Sequence, residues 1–356
     1  MSAKRVRPVG LWLLAVAAAV VVQVLLGGVT RLTDSGLSIT EWKPILGVVP
    51  PTDDAGWAEA FAKYQQIPQF QRLKSHLTLE EFKFIYFWEW FHRLWGRLLG
   101  FFFVVPLVVF WRQRRLDGLK GKLLGLLALG GAQGVMGWVM VASGLQDLVY
   151  VSHLRLAAHF MLAAVLLAAL VWLGLGLVAP PRAQAQHVRL LRFTGVLLGA
   201  LAIQLTWGAF MAGLKAALVA PTWPTINGQW VPTGIFGGGG WWWDDPLAVH
   251  FVHRTLAYLL ALGVAAWWWV TRRALGPSRH AALGLVLLQV TLGALATLQS
   301  VLAGRLLWWG VAHQLIGLSL MVALVVALRE LAPSVVPAPS TPVGPATSRA
   351  QATAEQ

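Results

Sequence analysis

Long hydrophobic runs separated by short polar segments dominate the chain. Eight of these runs have about the 20 residues that a helix needs to cross the hydrocarbon core of a bilayer. We predict spans near residues 10–29, 86–111, 123–142, 156–178, 193–213, 249–270, 281–302 and 310–328. The chain is 57% hydrophobic and 12% charged, and its mean hydropathy is +0.66. These values are typical of a polytopic membrane protein and exclude an ordinary soluble domain.

Positive charge collects between the spans and gives a formal net charge of +14. The segment "SAKRVR" precedes the first span, and "RQRRLDGLKGK", "PRAQAQHVRLLR" and "TRRALGPSRH" follow the second, fourth and sixth. Because Lys and Arg accumulate in cytoplasmic loops, both termini are predicted to be cytoplasmic. The charge therefore indicates membrane topology and contact with anionic membrane lipid, and no nucleic-acid partner is expected.

The chain contains no cysteine, which excludes disulfides, Cys-ligated zinc and iron–sulfur clusters. The first apolar run is longer than the core of a signal peptide, so we interpret it as a retained anchor. No Ser/Arg-rich presequence precedes it. These features favour a multi-pass protein of the bacterial plasma (inner) membrane over an organellar one.

Two long connections are predicted on the outer face. The first, residues 31–83, contains "WAEAFAKYQQI", whose spacing fits a short amphipathic helix, and it ends in a capping box formed by Thr78 and Glu81. The second, residues 214–247, has Pro, Asn-Gly and Gly breakers followed by three tryptophans that suit the headgroup layer. The tail, residues 331–356, is rich in Pro, Ala, Ser and Thr and is predicted to be a disordered cytoplasmic segment.

A repeat links the odd-numbered spans, each of which contains Gln-x-x-x-Gly. The repeat begins at Gln23, Gln133, Gln204 and Gln289. A glutamine and a glycine on one helix face also suit close helix packing, which is the simpler interpretation. With the histidines described next, the repeat predicts an all-α membrane protein whose eight transmembrane helices form two pseudo-symmetric four-helix bundles, residues 1–180 and 190–330.

Each even-numbered span carries a histidine near its outer end. These residues are His92, His159, His253 and His313. Counting to the first inner charge at 1.5 Å per residue places them within roughly 10 Å of one another in height. One such histidine could simply hydrogen-bond between helices, but ionisable groups at one depth in every even span indicate function. Two histidines per bundle suit bis-imidazole haem ligation, whereas zinc needs more ligands.

Haem propionates also require cations near the water boundary, where arginine forms charge-assisted hydrogen bonds. The candidates are Arg93, Arg97 and Arg155 in the first bundle, and Arg254 and Arg305 in the second. The alternative is that these side chains have no ligand: their aliphatic parts lie in the hydrocarbon and their guanidinium groups reach the water interface.

The two bundles differ beside the first histidine of each. Glu89 lies three residues before His92 and shares its helix face, whereas His250 lies three residues before His253. A carboxylate in this position could orient a ligand, move protons or stabilise positive charge. Its alternative role is an ion pair with a nearby arginine. Any chemistry is therefore predicted in the N-terminal bundle.

Several long motifs, in order, resemble one known family. They include "GGVTRLTDSGLSITEWKPILGVVPP", "EEFKFIYFWEWFHRLWGR", "QGVMGWVMVASGL", "VSHLRLAAHF", "MAGLKAALVAPTWPTINGQWVP", "HFVHR" and "VAHQ". From about residue 27 to residue 330 the chain resembles haem A synthase, the membrane enzyme of proteobacteria and mitochondria that converts haem O into haem A for cytochrome oxidases.

The resemblance implies a function for each histidine pair. His92 and His159 match the ligands of the substrate haem O, and His253 and His313 match those of a haem b. Glu89 matches a glutamate considered important for the oxidation. The implied reaction converts one porphyrin methyl group to a formyl group through successive hydroxylations and loss of water.

The resemblance also implies partners. These are a haem O synthase, which is a membrane farnesyltransferase, and an electron donor. Whether the chain forms a homo-oligomer stays open. Some relatives carry a cysteine pair in the first outer loop, and its absence here excludes a thiol step. His153 and His250 receive no role.

Two other functions use the same features. A di-haem b electron carrier would share all four histidines but perform no chemistry on haem. A transporter built from repeats is less consistent, because both halves begin inside and no broken helices or midplane charges are apparent.

Overall fold

The computed structural model describes residues 3–42, 46–146, 148–179, 187–235 and 241–332. Its α-helices are α1 (Ala3–Leu32), α2 (Asp54–Tyr64), α3 (Pro68–Leu73), α4 (Leu79–Arg112), α5 (Lys120–Ala142), α6 (His153–Val178), α7 (Val188–Gly213), α8 (Pro246–Val270), α9 (Ser278–Leu298) and α10 (Arg305–Leu331). All except α2 and α3 are long and apolar enough to cross a membrane. The prediction of eight spans in a nearly all-helical protein is therefore confirmed.

Helix α4 begins well before the predicted residue 86, because its first turns lie outside the apolar run. The side chain of Thr78 accepts a hydrogen bond from the Glu81 backbone N–H at 3.3 Å, and the Glu81 carboxylate accepts one from the Thr78 backbone N–H at 2.9 Å. These reciprocal bonds satisfy donors that a helix start leaves unpaired. The predicted capping box is confirmed, and it extends α4 into the first outer loop.

The first outer loop folds against the outer end of α4 through an aromatic cluster. The predicted amphipathic helix is confirmed as α2, and the unpredicted α3 follows it with Pro68 at its first position. The Phe82 ring of α4 lies 5.3 Å from the Tyr64 ring, and Leu37 packs fully buried in the same cluster. Burial raises the pKa of the Tyr64 phenol. This packing places the chain after Leu37 beside α4.

Helices α1, α6, α7 and α10 contact one another where the two halves meet. Helix α1 packs against α4, α6 and α10, and α10 also packs against α6, α7 and α9. Their contact surfaces are apolar and include the fully buried Leu13, Leu167 and Leu324. The two predicted bundles therefore share one continuous core. Their pseudo-symmetry and the cytoplasmic position of the termini stay predictions, and residues 236–240 of the second outer loop and 333–356 of the tail lie outside the described residues.

Charged residues connect the outer ends of the two halves. The Asp34 carboxylate accepts a hydrogen bond from Arg31 Nη1 at 3.0 Å and from Lys215 Nζ at 2.7 Å. Lys215 Nζ also lies 4.2 Å from the centre of the Tyr150 ring. Lys74 Nζ donates to the main-chain carbonyl of Asp34, and burial lowers the pKa of Lys74. A single carboxylate thus joins the first outer loop to the chain after α7.

Candidate functional site

The predicted histidines lie in two pairs, each formed by neighbouring even-numbered spans. His253 on α8 and His313 on α10 face each other with ring centroids 6.3 Å apart. His92 on α4 and His159 on α6 form the corresponding pair in the first half, and the two imidazoles interact electrostatically. One pair per half is the arrangement predicted from the sequence, while the role of each histidine as a ligand stays a prediction.

A glutamine from the adjacent odd-numbered span holds the first histidine of each pair. Gln23 Nε2 donates to the main-chain carbonyl of His92 at 3.1 Å and lies 3.3 Å from His92 Nδ1. Gln204 Nε2 makes the same contacts with His253, at 3.0 Å to the carbonyl and 3.1 Å to Nδ1. Both amides therefore contact the main chain and the ring of one histidine.

The second histidine of each pair meets its glutamine in two different ways. Gln133 Nε2 donates to the main-chain carbonyl of His159 at 2.9 Å. His313 Nδ1 instead donates to the main-chain carbonyl of Gln289 at 3.0 Å, while Gln289 Nε2 lies 3.1 Å from His313 Nε2. Because a carbonyl can only accept, the His313 contact defines Nδ1 as the protonated nitrogen.

The glycine of each Gln-x-x-x-Gly repeat faces the ring of the same histidine. A Cβ atom built on the glycine would lie 2.9 to 3.3 Å from the histidine Cε1. The pairs are Gly27 with His92, Gly137 with His159, Gly208 with His253 and Gly293 with His313. The repeat is therefore more than a helix-packing pattern, because it forms a recess for each imidazole.

A small residue also follows each histidine by four positions. This pattern is present in the sequence, but its contact with the glutamine is shown only by the structure. Gly96 and Gly317 follow His92 and His313 by four residues, and a Cβ on either would lie within 3.4 Å of the partner glutamine amide. Alanine occupies the corresponding positions in the other two helices. Since the helices are antiparallel, a small residue thus lies opposite the large polar one on both sides.

The two pairs fit haem better than a bare metal ion. Within the described residues, no group of three or more His, Asp or Glu side chains could hold a metal ion. Two imidazoles suffice for a haem iron, whose other ligands are porphyrin nitrogens. The Oε1 atoms of the four glutamines are buried and hydrogen-bond to nothing in the described part of the chain. Such atoms cost about 1–3 kcal/mol each, and all four adjoin a histidine.

Glu89 is buried, with its side chain 3% exposed, and three donors surround its carboxylate. Oε2 accepts hydrogen bonds from Ser38 Oγ at 2.7 Å and from the Ile39 backbone N–H at 2.8 Å. Oε1 pairs with Arg93 Nη2 at 2.6 Å. The ion pair considered as the alternative role of Glu89 is thus present, and the carboxylate also anchors the first outer loop.

Arg93 and Arg254 have the same surroundings in the two halves. Arg93 donates to main-chain carbonyls of the first outer loop, including that of Ile39 at 2.9 Å. Arg254 donates to carbonyls of the second outer loop, including that of Thr225 at 3.1 Å. Its Nε also donates to His250 Nε2 at 3.0 Å. His250 therefore occupies the position, four residues before the arginine, that Glu89 occupies in the first half.

Of the other predicted arginines, Arg155 and Arg305 lie in the first turn of their helices, whereas Arg97 lies near the middle of α4. Arg155 Nη1 donates to the main-chain carbonyl of Val139 at 2.9 Å, and Arg305 Nη1 donates to Gln299 Oε1 at 2.9 Å. Arg97 lies one turn after Arg93 on α4. Their contact with haem propionates stays a prediction.

Comparison with known proteins identifies the family. A family model described as cytochrome oxidase assembly protein matches residues 10–325. A protein named Heme A synthase from Maricaulis maris is 44% identical over 335 residues, which cover 92% of this chain and 96% of the relative. Proteins of the same name from Brucella suis and Brucella abortus are 44% identical over 321 residues, covering 88% of both chains.

The membrane location follows from the helices and the family together. Eight helices of sufficient length and hydropathy, in a family with these bacterial members, make the chain a multi-pass protein of the inner membrane. The long motifs that indicated the resemblance fall within the matched region. The chain belongs to the haem A synthase family of cytochrome oxidase assembly proteins.

Proposed function

We propose that this protein oxidises a methyl group of haem O to a formyl group and so produces haem A for cytochrome oxidase. The observation that carries this proposal is the 44% identity, over 92% of the chain, to a protein named Heme A synthase. The paired histidines support it independently, because two imidazoles in a helical bundle are suited to hold a haem.

The two pairs have different roles in this proposal. His92 and His159, in residues 1–180, hold the substrate haem O, while His253 and His313, in residues 190–330, hold a resident haem b. The assignment is supported by the difference at the first histidine, where the first half has Glu89 and the second has His250. When bound, the haem iron supplies the redox chemistry, and the protein supplies position and charge.

Glu89 acts as a fixed negative charge in this scheme. Both carboxylate oxygens already accept hydrogen bonds, from Ser38, Ile39 and Arg93. A proton carrier would have to give up one of these bonds in every cycle. A fixed charge needs no such rearrangement and can stabilise positive charge that develops at the reacting carbon. Such preorganised electrostatic stabilisation is the largest contribution to catalysis in many enzymes.

Arg93 and Arg254 hold the outer loops close to their sites in this scheme, and Arg97 and Arg155 are the cations best placed for propionates of haem O. A haem O synthase supplies the substrate and a separate electron donor serves the haem b. The surrounding lipid completes the environment.

The test is production of haem A in living cells. The chain is expressed in a bacterial host that makes haem O but no haem A, and membrane haems are extracted and separated by chromatography with mass detection. We expect haem A with the wild-type chain, and haem O without haem A with His92→Ala, whose haem b site is unchanged. Wild-type membranes that contain the protein and haem O, but neither haem A nor a hydroxylated haem O, would contradict the proposal and favour a di-haem b electron carrier.

A further inference from the structure

In four antiparallel helix pairs, a glutamine and the glycine four residues after it face one histidine. The pairs are α1 with α4, α5 with α6, α7 with α8 and α9 with α10. In each, the glycine four residues after the glutamine lies against the histidine Cε1. In three of them the glutamine amide also donates to the histidine main-chain carbonyl. Four recurrences in different helices indicate a common requirement.

A histidine that binds iron through one ring nitrogen needs a hydrogen-bond acceptor for the N–H at the other. His313 meets this requirement directly, because Nδ1 donates to the main-chain carbonyl of Gln289. In His92 and His253 the amide nitrogen of the glutamine lies 3.3 and 3.1 Å from Nδ1, and 3.3 and 3.5 Å from Nε2. The Oε1 atom of that same amide is buried and makes no hydrogen bond with the described residues. Turning the amide over exchanges Oε1 with Nε2 and would place this acceptor at the ring nitrogen.

We propose that the four glutamines are positioning residues for the histidine ligands. Each amide oxygen, or the main-chain carbonyl of the same glutamine, accepts the N–H of the ring nitrogen that does not bind iron and so fixes the ring orientation. At His159, Nδ1 and the Gln133 Oε1 are both buried and without a hydrogen-bond partner in the described part of the chain, so they are available to each other. The glycine supplies the recess that lets the ring approach the helix. The residues concerned are Gln23, Gln133, Gln204 and Gln289. The inference rests on the proposed haem ligation by these histidines.

The second half provides the test, because haem b is resident there. Gln204→Leu removes the amide at His253, and Gln314→Leu is the matched control. Gln314 is also an interhelical glutamine, but its amide donates to the main-chain carbonyl of Val24 on α1 at 3.2 Å. The full-length ferric proteins are purified with haem b from a host without haem O, and transfer of haem to excess apomyoglobin is followed by absorbance.

We expect Gln204→Leu to lose haem about 10- to 100-fold faster than the wild type, the usual effect of removing a residue that supports a metal ligand. Its low-spin electron paramagnetic resonance spectrum should also shift. Gln314→Leu should transfer haem at the wild-type rate with an unchanged spectrum. Wild-type rate and spectrum in Gln204→Leu would overturn the inference.

Gln204→Glu keeps the acceptor and decides the matter even where Gln204→Leu does not fold. A carboxylate acceptor makes the imidazole a stronger donor to iron, so the midpoint potential should fall while haem is retained. An unchanged potential would mean that the side chain does not contact the ring N–H. Failure of the haem assignment itself is distinguished by His253→Ala. If that variant keeps its haem and spectrum, His253 is not a ligand and the haem assignment fails. If it loses its haem while the Gln204 variants behave like the wild type, the haem assignment stands and only the positioning role of Gln204 is refuted.

Discussion

Ser38→Ala separates two roles of Glu89 that Glu89 variants alone combine. Ser38 is 2% exposed, and its hydroxyl donates to Glu89 Oε2 at 2.7 Å. The substitution removes one of three donors while the carboxylate, the Ile39 N–H bond and the Arg93 ion pair stay in place. It therefore loosens the first outer loop without removing the charge proposed to act in the reaction.

The structure gives the size of the effect. A hydrogen bond to a charged group contributes about 1.5–3 kcal/mol, so the ratio of docked to undocked loop should fall roughly ten- to hundredfold. The loop should still be docked most of the time, because Leu37 remains buried in the aromatic cluster with Tyr64 and Phe82. Haem A production by Ser38→Ala should stay within a few-fold of the wild type.

Hydrogen exchange followed by mass spectrometry measures loop docking, and extracted haem A measures function in the same variants. Exchange in peptides covering residues 33–42 should accelerate by the factor above in Ser38→Ala. Glu89→Gln should reduce haem A roughly a hundredfold or more, as loss of a preorganised charge does in other enzymes, while the resident haem b stays bound. If haem A instead falls in proportion to loop exchange in both variants, Glu89 serves only as a loop anchor and the catalytic assignment is refuted.

Three further outcomes follow from local contacts. Gly137→Ala places a Cβ 3.1 Å from His159 Cε1 and should weaken haem O binding by about 1–3 kcal/mol, whereas Gly134→Ala, with open space, should bind normally in a haem titration. Asp34→Asn leaves Lys215 and Arg31 without their carboxylate partner, so the midpoint of thermal unfolding, monitored by tryptophan fluorescence, should fall by several degrees. A midpoint equal to that of the wild type would contradict this. Because burial raises the Tyr64 pKa, the stability that the neutral phenol provides is fully present below about pH 10, the ordinary tyrosine pKa, and decreases progressively as the pH rises from there towards the raised pKa; Tyr64→Phe should abolish that alkaline decrease in outer-loop protection.

The spans and the capping box were predictable because both depend on residues that are close in sequence. A bilayer fixes the length of an apolar helix, and Thr78 and Glu81 lie within one helical turn. The histidine pairs were also accessible, since one depth and one repeat place them together. Helix α3 was missed because it has only six residues, too few for its apolar spacing to indicate a helix, and it is stabilised by packing of Phe70 against Phe61 and Tyr64.

Contacts between distant residues could not be read from the sequence. Glu89 meets Ser38 and Ile39 across about fifty residues, through a loop whose path depends on the aromatic cluster. Arg93 and Arg254 donate to main-chain carbonyls of the outer loops, contacts that the sequence did not indicate, and their contact with haem propionates stays a prediction. Exposed carbonyls exist only once a loop has folded, so no local pattern announces them.

The most direct test of two distinct haem sites is the haem content of purified His253→Ala, isolated from cells that make both haem b and haem O. We expect this variant to lose haem b and keep haem O, while wild-type protein contains haem b together with haem O, its hydroxylated form or haem A. A variant that keeps haem b at the wild-type ratio to protein, or wild-type protein with two molecules of haem b and no haem O product, would contradict the assignment of one resident and one substrate site.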